Sequence, residues 1–145
     1  MPRIITNLWF DTEALEAAEY YCSVFPNSSV DRVAHYAEAG PGEPGTIVTV
    51  DSHLDGEPFT AINGGPMFHF TEAISLLIDC ADQAEVDYYW ETLSAGGETS
   101  VCGWLKGRYG LSWRVCPDAR GARVADPDPQ RAGRAFHCDS PGAGG

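Results

Sequence analysis

The stretch ISLLIDCADQAEVDYYWETLSAGG, residues 74–97, decides the fold. Ile74 to Cys80 is an apolar, β-like run, and Asp82 is of a residue type that caps helix N-termini. Val86, Tyr89, Trp90 and Leu93 then recur at helical spacing until Gly96-Gly97 ends the helix. Three short apolar segments follow, Thr99 to Val101, Trp104 to Lys106 and Leu111 to Cys116, with Gly107 to Gly110 turning between the last two. The reading is strand, helix, strand, strand, strand.

The same order stands earlier in the chain. Arg3 to Phe10 is strand-like and stops at Asp11-Thr12, both capping residue types. From Glu13 to Phe25 a helix is expected to bury Leu15, Ala18, Cys22 and Phe25, and Pro26-Asn27 stops it. Val30 to Tyr36 is a strand, and Ala37 to Gly45 a loop. Thr46 to Leu54 alternates apolar and polar residues, and Asp55-Gly56 is a hairpin signal leading into Pro58 to Asn63. Letters repeat as well as order: Ile5-Thr6 recurs as Ile74-Ser75, and Glu19-Tyr20-Tyr21 as Asp87-Tyr88-Tyr89. We therefore expect one domain over 1–125, made of βαβββ modules at about 3–63 and 73–117. Residues 126–145, which open on Asp126-Pro127-Asp128-Pro129 and end Gly/Pro-rich, are expected to form a poorly ordered or divergent tail.

Composition narrows the partners. The 145 residues carry 9 Lys plus Arg against 21 Asp plus Glu, a formal charge of -12, so the surface repels nucleic acid and anionic membranes. No apolar run approaches the roughly 18 residues of a membrane span, and no signal core is visible, which makes a cytoplasmic address the expectation. Cys22, Cys80, Cys102, Cys116 and Cys138 form no CxxC pair, and an odd count without a secretion signal argues for reduced thiols.

Gly40, Gly42 and Gly45 spell GxGxxG, the dinucleotide fingerprint. That motif requires a strand turning into a helix whose amides hold a pyrophosphate. Here prolines interrupt the loop and a strand follows, so a surface loop is expected and no cofactor is implied.

The segment from Gly64 to Gly97 together with CGWLKGRYGLSWRVCP, residues 102–117, resembles the PhnB-like family of the vicinal oxygen chelate superfamily. Its relatives include glyoxalases, bleomycin-resistance proteins and extradiol dioxygenases. The resemblance is carried by Asn63-Gly64-Gly65-Pro66, Asp87-Tyr88-Tyr89-Trp90, Cys102-Gly103-Trp104 and Gly110-Leu111-Ser112-Trp113, and covers about Ile4 to Ala132. It implies an α+β fold of two βαβββ modules with mixed, curved sheets enclosing a cavity, usually in a homodimer. Members often carry the label 3-demethylubiquinone-9 3-methyltransferase, but nothing in this sequence reads as a methyl-donor site.

Metal-using members of the superfamily place His and Glu on the first, fourth, fifth and eighth strands, as a first-row metal centre requires. Those positions fall here near Asn7, Ala61 or Asn63, Ser75 and Arg114. None is a His or a carboxylate, so no metal is expected. Of the four histidines, His35 and His53 fall on strands, His137 in the tail and His69 in the loop before the fifth strand, where it is the one retained as a site candidate.

Strand alternation puts Asn7 with Trp9, Ala61 with Asn63, Ser75 with Leu77 and Ser112 with Arg114. If these are concave faces, a ligand pocket is lined by Asn7, Trp9, Asn63, His69, Glu72, Ser75, Trp104 and Arg114. Each has a plainer role too: the tryptophans as core, Arg114 in a surface ion pair, Asn63 capping the turn into Gly64-Gly65, and Glu72 as a solvated loop carboxylate instead of a general base. The function expected is metal-free, cofactor-free binding of a small molecule. The alternative is a lyase- or dioxygenase-type enzyme with an unorthodox metal site or metal-free acid/base chemistry.

Overall fold

The computed structural model describes residues 3–40 and 42–117, and divides the chain into two units, Met1–His69 and Phe70–Gly145. The expected modules at 3–63 and 73–117 fall one in each. The expectations for residues 126–145, His137 included, lie outside the described residues.

In the first unit β1 (Thr6–Phe10), α1 (Ala14–Val24), β2 (Ser29–His35), β3 (Ile47–Leu54) and β4 (Glu57–Asn63) follow the expected order. The sheet runs β1-β4-β3-β2, with β1 parallel to β4 and the other pairs antiparallel. Asp55, at φ 48, and Gly56, at φ 80, make the hairpin turn, which sets Leu54 opposite Glu57 and Asp51 opposite Thr60.

One face of this sheet is closed by α1. Leu8, Phe10, Val50, Leu54 and Ala61 are buried there with Ala14, Ala17, Ala18, Tyr21 and Val24 of the helix. Of the expected Leu15, Ala18, Cys22 and Phe25 only Ala18 lies in the buried stripe. Small Ala14 and Ala17 let the helix lie close to the strands, whereas Leu15, Cys22 and Phe25 stay half-buried at its margin. Asp11 and Thr12 do not cap α1: Glu13 occupies the cap position without a side-chain bond, and the Ala14 amide donates to Asn63 Oδ1 at 2.8 Å. A side chain from β4, 49 residues away, satisfies a donor that local residues leave open.

The second unit repeats the plan with β5 (Ser75–Cys80), α2 (Gln83–Ser94), β6 (Glu98–Thr99), β7 (Trp104–Lys106) and β8 (Ser112–Pro117), in the order β5-β8-β7-β6. Here the cap is local: Asp82 Oδ1 accepts from the Glu85 amide at 2.9 Å, and Glu85 reaches back to the Ala81 amide at 3.0 Å. Val86, Trp90 and Leu93 form the buried helical stripe, with Leu105, Trp113 and Val115 buried in the strands. Burying Leu93 alone stabilises the unit by roughly 2 kcal/mol. The strand expected at Thr99 to Val101 is reduced to two residues, because the chain turns back at Cys102-Gly103. Gly103 has φ 78, and a Cβ there would stand 2.4 Å from the Val115 carbonyl oxygen. Only glycine fits that turn, which accounts for the Cys-Gly-Trp block.

The GxGxxG loop is packed on a tyrosine. A Cβ on Gly42 would meet the Tyr36 ring at 2.6 Å, and the Gly45 amide donates to the Tyr36 carbonyl at 3.1 Å. Strand β3 follows, so the expected rejection of a dinucleotide site rests on a specific contact.

Candidate functional site

In each unit one sheet face is covered by a helix, and the opposite face is where polar side chains collect. In the first unit the parallel register pairs Asn7 with Thr60 and Trp9 with Ile62, and the hairpin register adds Asp51 and Thr49. Asn63 is not among them. It is in register with Phe10, and its amide is engaged with Ala14 and with the Ile47 carbonyl at 3.3 Å, while its own carbonyl accepts from the Tyr36 hydroxyl at 2.8 Å. The expected sharing of one face by Asn7, Trp9, Ala61 and Asn63 is therefore corrected: parallel pairing puts Ala61 beside Leu8, facing the helix. Nor does Asn63 cap the turn that follows it.

Several polar groups on this face pair with others, whereas Asn7 is exposed. Thr60 Oγ1 donates to Asp51 Oδ1 at 2.9 Å, and Trp9 Nε1 donates to the Gly65 carbonyl at 2.9 Å. Phe68 meets Trp9 edge-on at 5.0 Å, and a Cβ on Gly64 would strike the indole at 2.2 Å. Asn63-Gly64-Gly65 is thus a bed for Trp9. His53 Nδ1 lies 3.0 Å from Asp31, which holds that carboxyl below its usual range, chiefly by this hydrogen bond. Ser29 joins them but bonds Asp31 at 3.1 Å and stands 3.5 Å from both ring nitrogens, so no serine–histidine relay is formed. His69 is exposed.

The second unit's open face is different. Strand β8 pairs Ser112 with Ser75 on one side and Lys106 on the other, and Arg114 with Leu77 and Trp104. The expected grouping of Ser75, Leu77, Ser112 and Arg114 on one face holds, and Trp104 joins it. Arg114 lies over the Trp104 ring at 4.3 Å, with Nε 3.4 Å from the Cys102 carbonyl. Among the described residues it has no carboxylate partner.

Glu72 pairs instead with Lys106. The ammonium holds the Glu72 carboxyl below its usual range, and Glu72, then Glu98, raises the Lys106 ammonium. A carboxylate so stabilised is a weaker base, which counts against Glu72 as a general base.

Glu72, Glu98, Trp104, Lys106 and Ser112 line a hollow of about 320 Å³. Ser112 is 2% exposed, and its hydroxyl has no hydrogen-bond partner among the described residues. Lys106 and Glu98 join this face through the antiparallel registers of β7 with β8, set by the Gly107 to Gly110 turn, and of β6 with β7. Asp51 and Thr60 follow in the same way from the Asp55-Gly56 hairpin.

The superfamily metal does not fit the residues at its four positions. Asn63 is spent on the helix cap, Ala61 faces α1, and Arg114 brings a cation. Among the described residues no group of three His, Cys, Asp or Glu is placed to hold a metal ion. Burial pushes the Cys80 thiol up to about 11, which suits a packing role. Among the described residues Cys22, Cys80 and Cys102 are free thiols.

Two βαβββ units, each with a mixed four-stranded sheet and a helix on one face, define an α+β chain of the glyoxalase and bleomycin-resistance type. The family pattern described as 3-demethylubiquinone-9 3-methyltransferase matches residues 2–116, and the chain belongs to that PhnB-like family. A Bacillus cereus protein described as a putative 3-demethylubiquinone-9 3-methyltransferase, PhnB protein, is 30% identical, with a TM-score of 0.71 over 80% of this chain and 99% of its own. A Pseudomonas aeruginosa protein shares the fold at 16% identity and a TM-score of 0.68, over 81% of this chain and 98% of its own. So does the Listeria monocytogenes fosfomycin resistance protein FosX, crystallised with Mn(II) and sulfate, at 14% and 0.55, over 86% and 95%. No curated protein matches the chain.

Proposed function

We propose that this protein binds a small molecule without the superfamily metal, and that the ligand sits in the hollow on the open face of the second sheet. The observation that carries this reading is the Ser112 hydroxyl, buried in the wall of the hollow with no hydrogen-bond partner among the described residues. A buried hydroxyl without a partner costs about 1–3 kcal/mol, and such groups mark places where a missing molecule completes the network. The volume falls in the range of small-molecule sites, and Trp104 supplies the apolar wall such sites use. FosX is by name a resistance protein, and sequestration or resistance is the role within this fold that needs least of the wall chemistry. We do not extend the methyltransferase description to an activity of this chain, since the GxGxxG loop packs on Tyr36 and leads into a strand. No described helix is long and apolar enough to cross a membrane, and a cytoplasmic homodimer belongs to the same reading.

The test is elemental analysis of purified protein joined to a thermal-shift screen with divalent ions and small aromatic compounds. A ligand held only by the native state raises the melting temperature. The reading expects stabilisation by organic ligands and none by metals. Stoichiometric transition metal, lost on substituting His53 or His69, would overturn it in favour of the metal enzyme.

A further inference from the structure

The hollow has a charge arrangement that specifies its ligand further, on the reading just given. Along β5, β8, β7 and β6 the cross-strand neighbours Ser75, Ser112, Lys106 and Glu98 form one row: two hydroxyls, an ammonium and, on the edge strand, an acid that raises the ammonium from beyond ion-pair distance. Two residues along the strands runs a second row, Leu77, Arg114 and Trp104. Both cations of the face, Lys106 and Arg114, are fixed on strands. The carboxylate that answers Lys106 comes from elsewhere. Glu72 precedes β5 in the connecting loop, and its side chain is 69% exposed. It meets the ammonium but leaves the Ser112 hydroxyl beside it unbonded.

The geometry points to a ligand carboxylate as the group that belongs on Ser112 and Lys106, with Glu72 as an intramolecular stand-in that the ligand displaces. A carboxylate has two oxygens: one accepts from the Lys106 ammonium and the other from the Ser112 hydroxyl, a pair of bonds that Glu72 does not make at once. An aromatic or otherwise flat body then rests on the exposed part of Trp104. Because the stand-in must leave first, apparent affinity is reduced by the fraction of time the site is open.

Three probes of one shape separate the possibilities: indole-3-acetate, indole-3-acetamide and tryptamine, titrated by calorimetry against the wild type, Glu72→Gln and Lys106→Gln. The wild type is expected to bind the acetate more tightly than the amide or the amine. Glu72→Gln is expected to tighten the acetate about tenfold, as for a site closed nine-tenths of the time, and to leave the amide unchanged. Lys106→Gln should remove the preference for the acetate, with circular dichroism checking that each variant is folded. Binding of the amide or amine in preference to the acetate, or an acetate affinity indifferent to Glu72→Gln, overturns the carboxylate assignment while leaving the hollow as a binding site. Failure of all three probes to bind any of the proteins overturns the assignment and counts against the hollow itself.

Discussion

The two units share a plan and differ in what their open faces leave undone. On the first sheet Thr60 bonds Asp51, Trp9 bonds Gly65 and His53 bonds Asp31, so most of the polar groups are engaged and Asn7 is left exposed. On the second sheet Ser112 has no partner among the described residues, and Lys106 is answered by an exposed loop carboxylate. The helices differ in the opposite sense. The first is capped from a distant strand by Asn63, the second locally by Asp82. In the first unit side chains that a site would use have been taken up by the fold; in the second the fold is satisfied locally and the face is left free. A repeated module can thus divide structure and recognition between its copies.

The largest effect that would break this comparison is at the turn peculiar to the second unit. Gly103→Ala forces a Cβ onto the Val115 carbonyl at positive φ, and denaturant unfolding should show a loss of about 3 kcal/mol. Asn63→Ala strips the first helix of its cap and the Ile47 contact, for an expected loss of about 2 kcal/mol by the same measurement. Asp82→Ala, the local cap, should cost about 1 kcal/mol. Equal losses at the two caps would erase the asymmetry.

Ser112→Ala sharpens the contrast, since it removes a hydroxyl that has no hydrogen-bond partner among the described residues. Thermal unfolding should leave stability unchanged or raised by up to about 1 kcal/mol, while ligand affinity falls. A marked destabilisation would show that Ser112 serves the fold.

The smallest effect is electrostatic. The Asp31 carboxyl sits below its usual range because His53 bonds it, so its contribution is present above the unfolded value, about 3.9, and is lost as pH falls through the folded value. The stability advantage of the wild type over Asp31→Asn should be present at neutral pH and shrink below about pH 4, and it should be modest because the pair is exposed.

Much of this organisation was legible in the residues, for reasons that also explain what was not. Alternation in Thr46 to Leu54 and the Asp55-Gly56 turn fix β3 and β4 locally. The stripe Val86, Trp90, Leu93 fixes the buried side of α2 because large apolar residues stand only there. In α1 apolar residues lie on two adjacent stripes, and the choice between them depends on how closely alanines let the helix approach. Asn63 was misplaced because its face depends on a parallel pairing with β1, some fifty residues away. Ser75 with Leu77 and Ser112 with Arg114 follow from alternation along each strand, whereas Trp104 joins them through the pairing of β7 with β8. The idle hydroxyl of Ser112 is a matter of burial and neighbours, which no local pattern carries.

The central claim is that recognition belongs to the second sheet and not the first. The indole N–H groups report on both faces, with Trp9 clamped on the first and Trp104, half-buried with Arg114 over one side of its ring, lining the hollow on the second. Nitrogen–proton correlation spectra, with each tryptophan signal assigned by single substitution to phenylalanine, should show the Trp104 signal moving as indole-3-acetate is added while the Trp9 signal stays. Movement of the Trp9 signal with Trp104 unaffected would contradict the account.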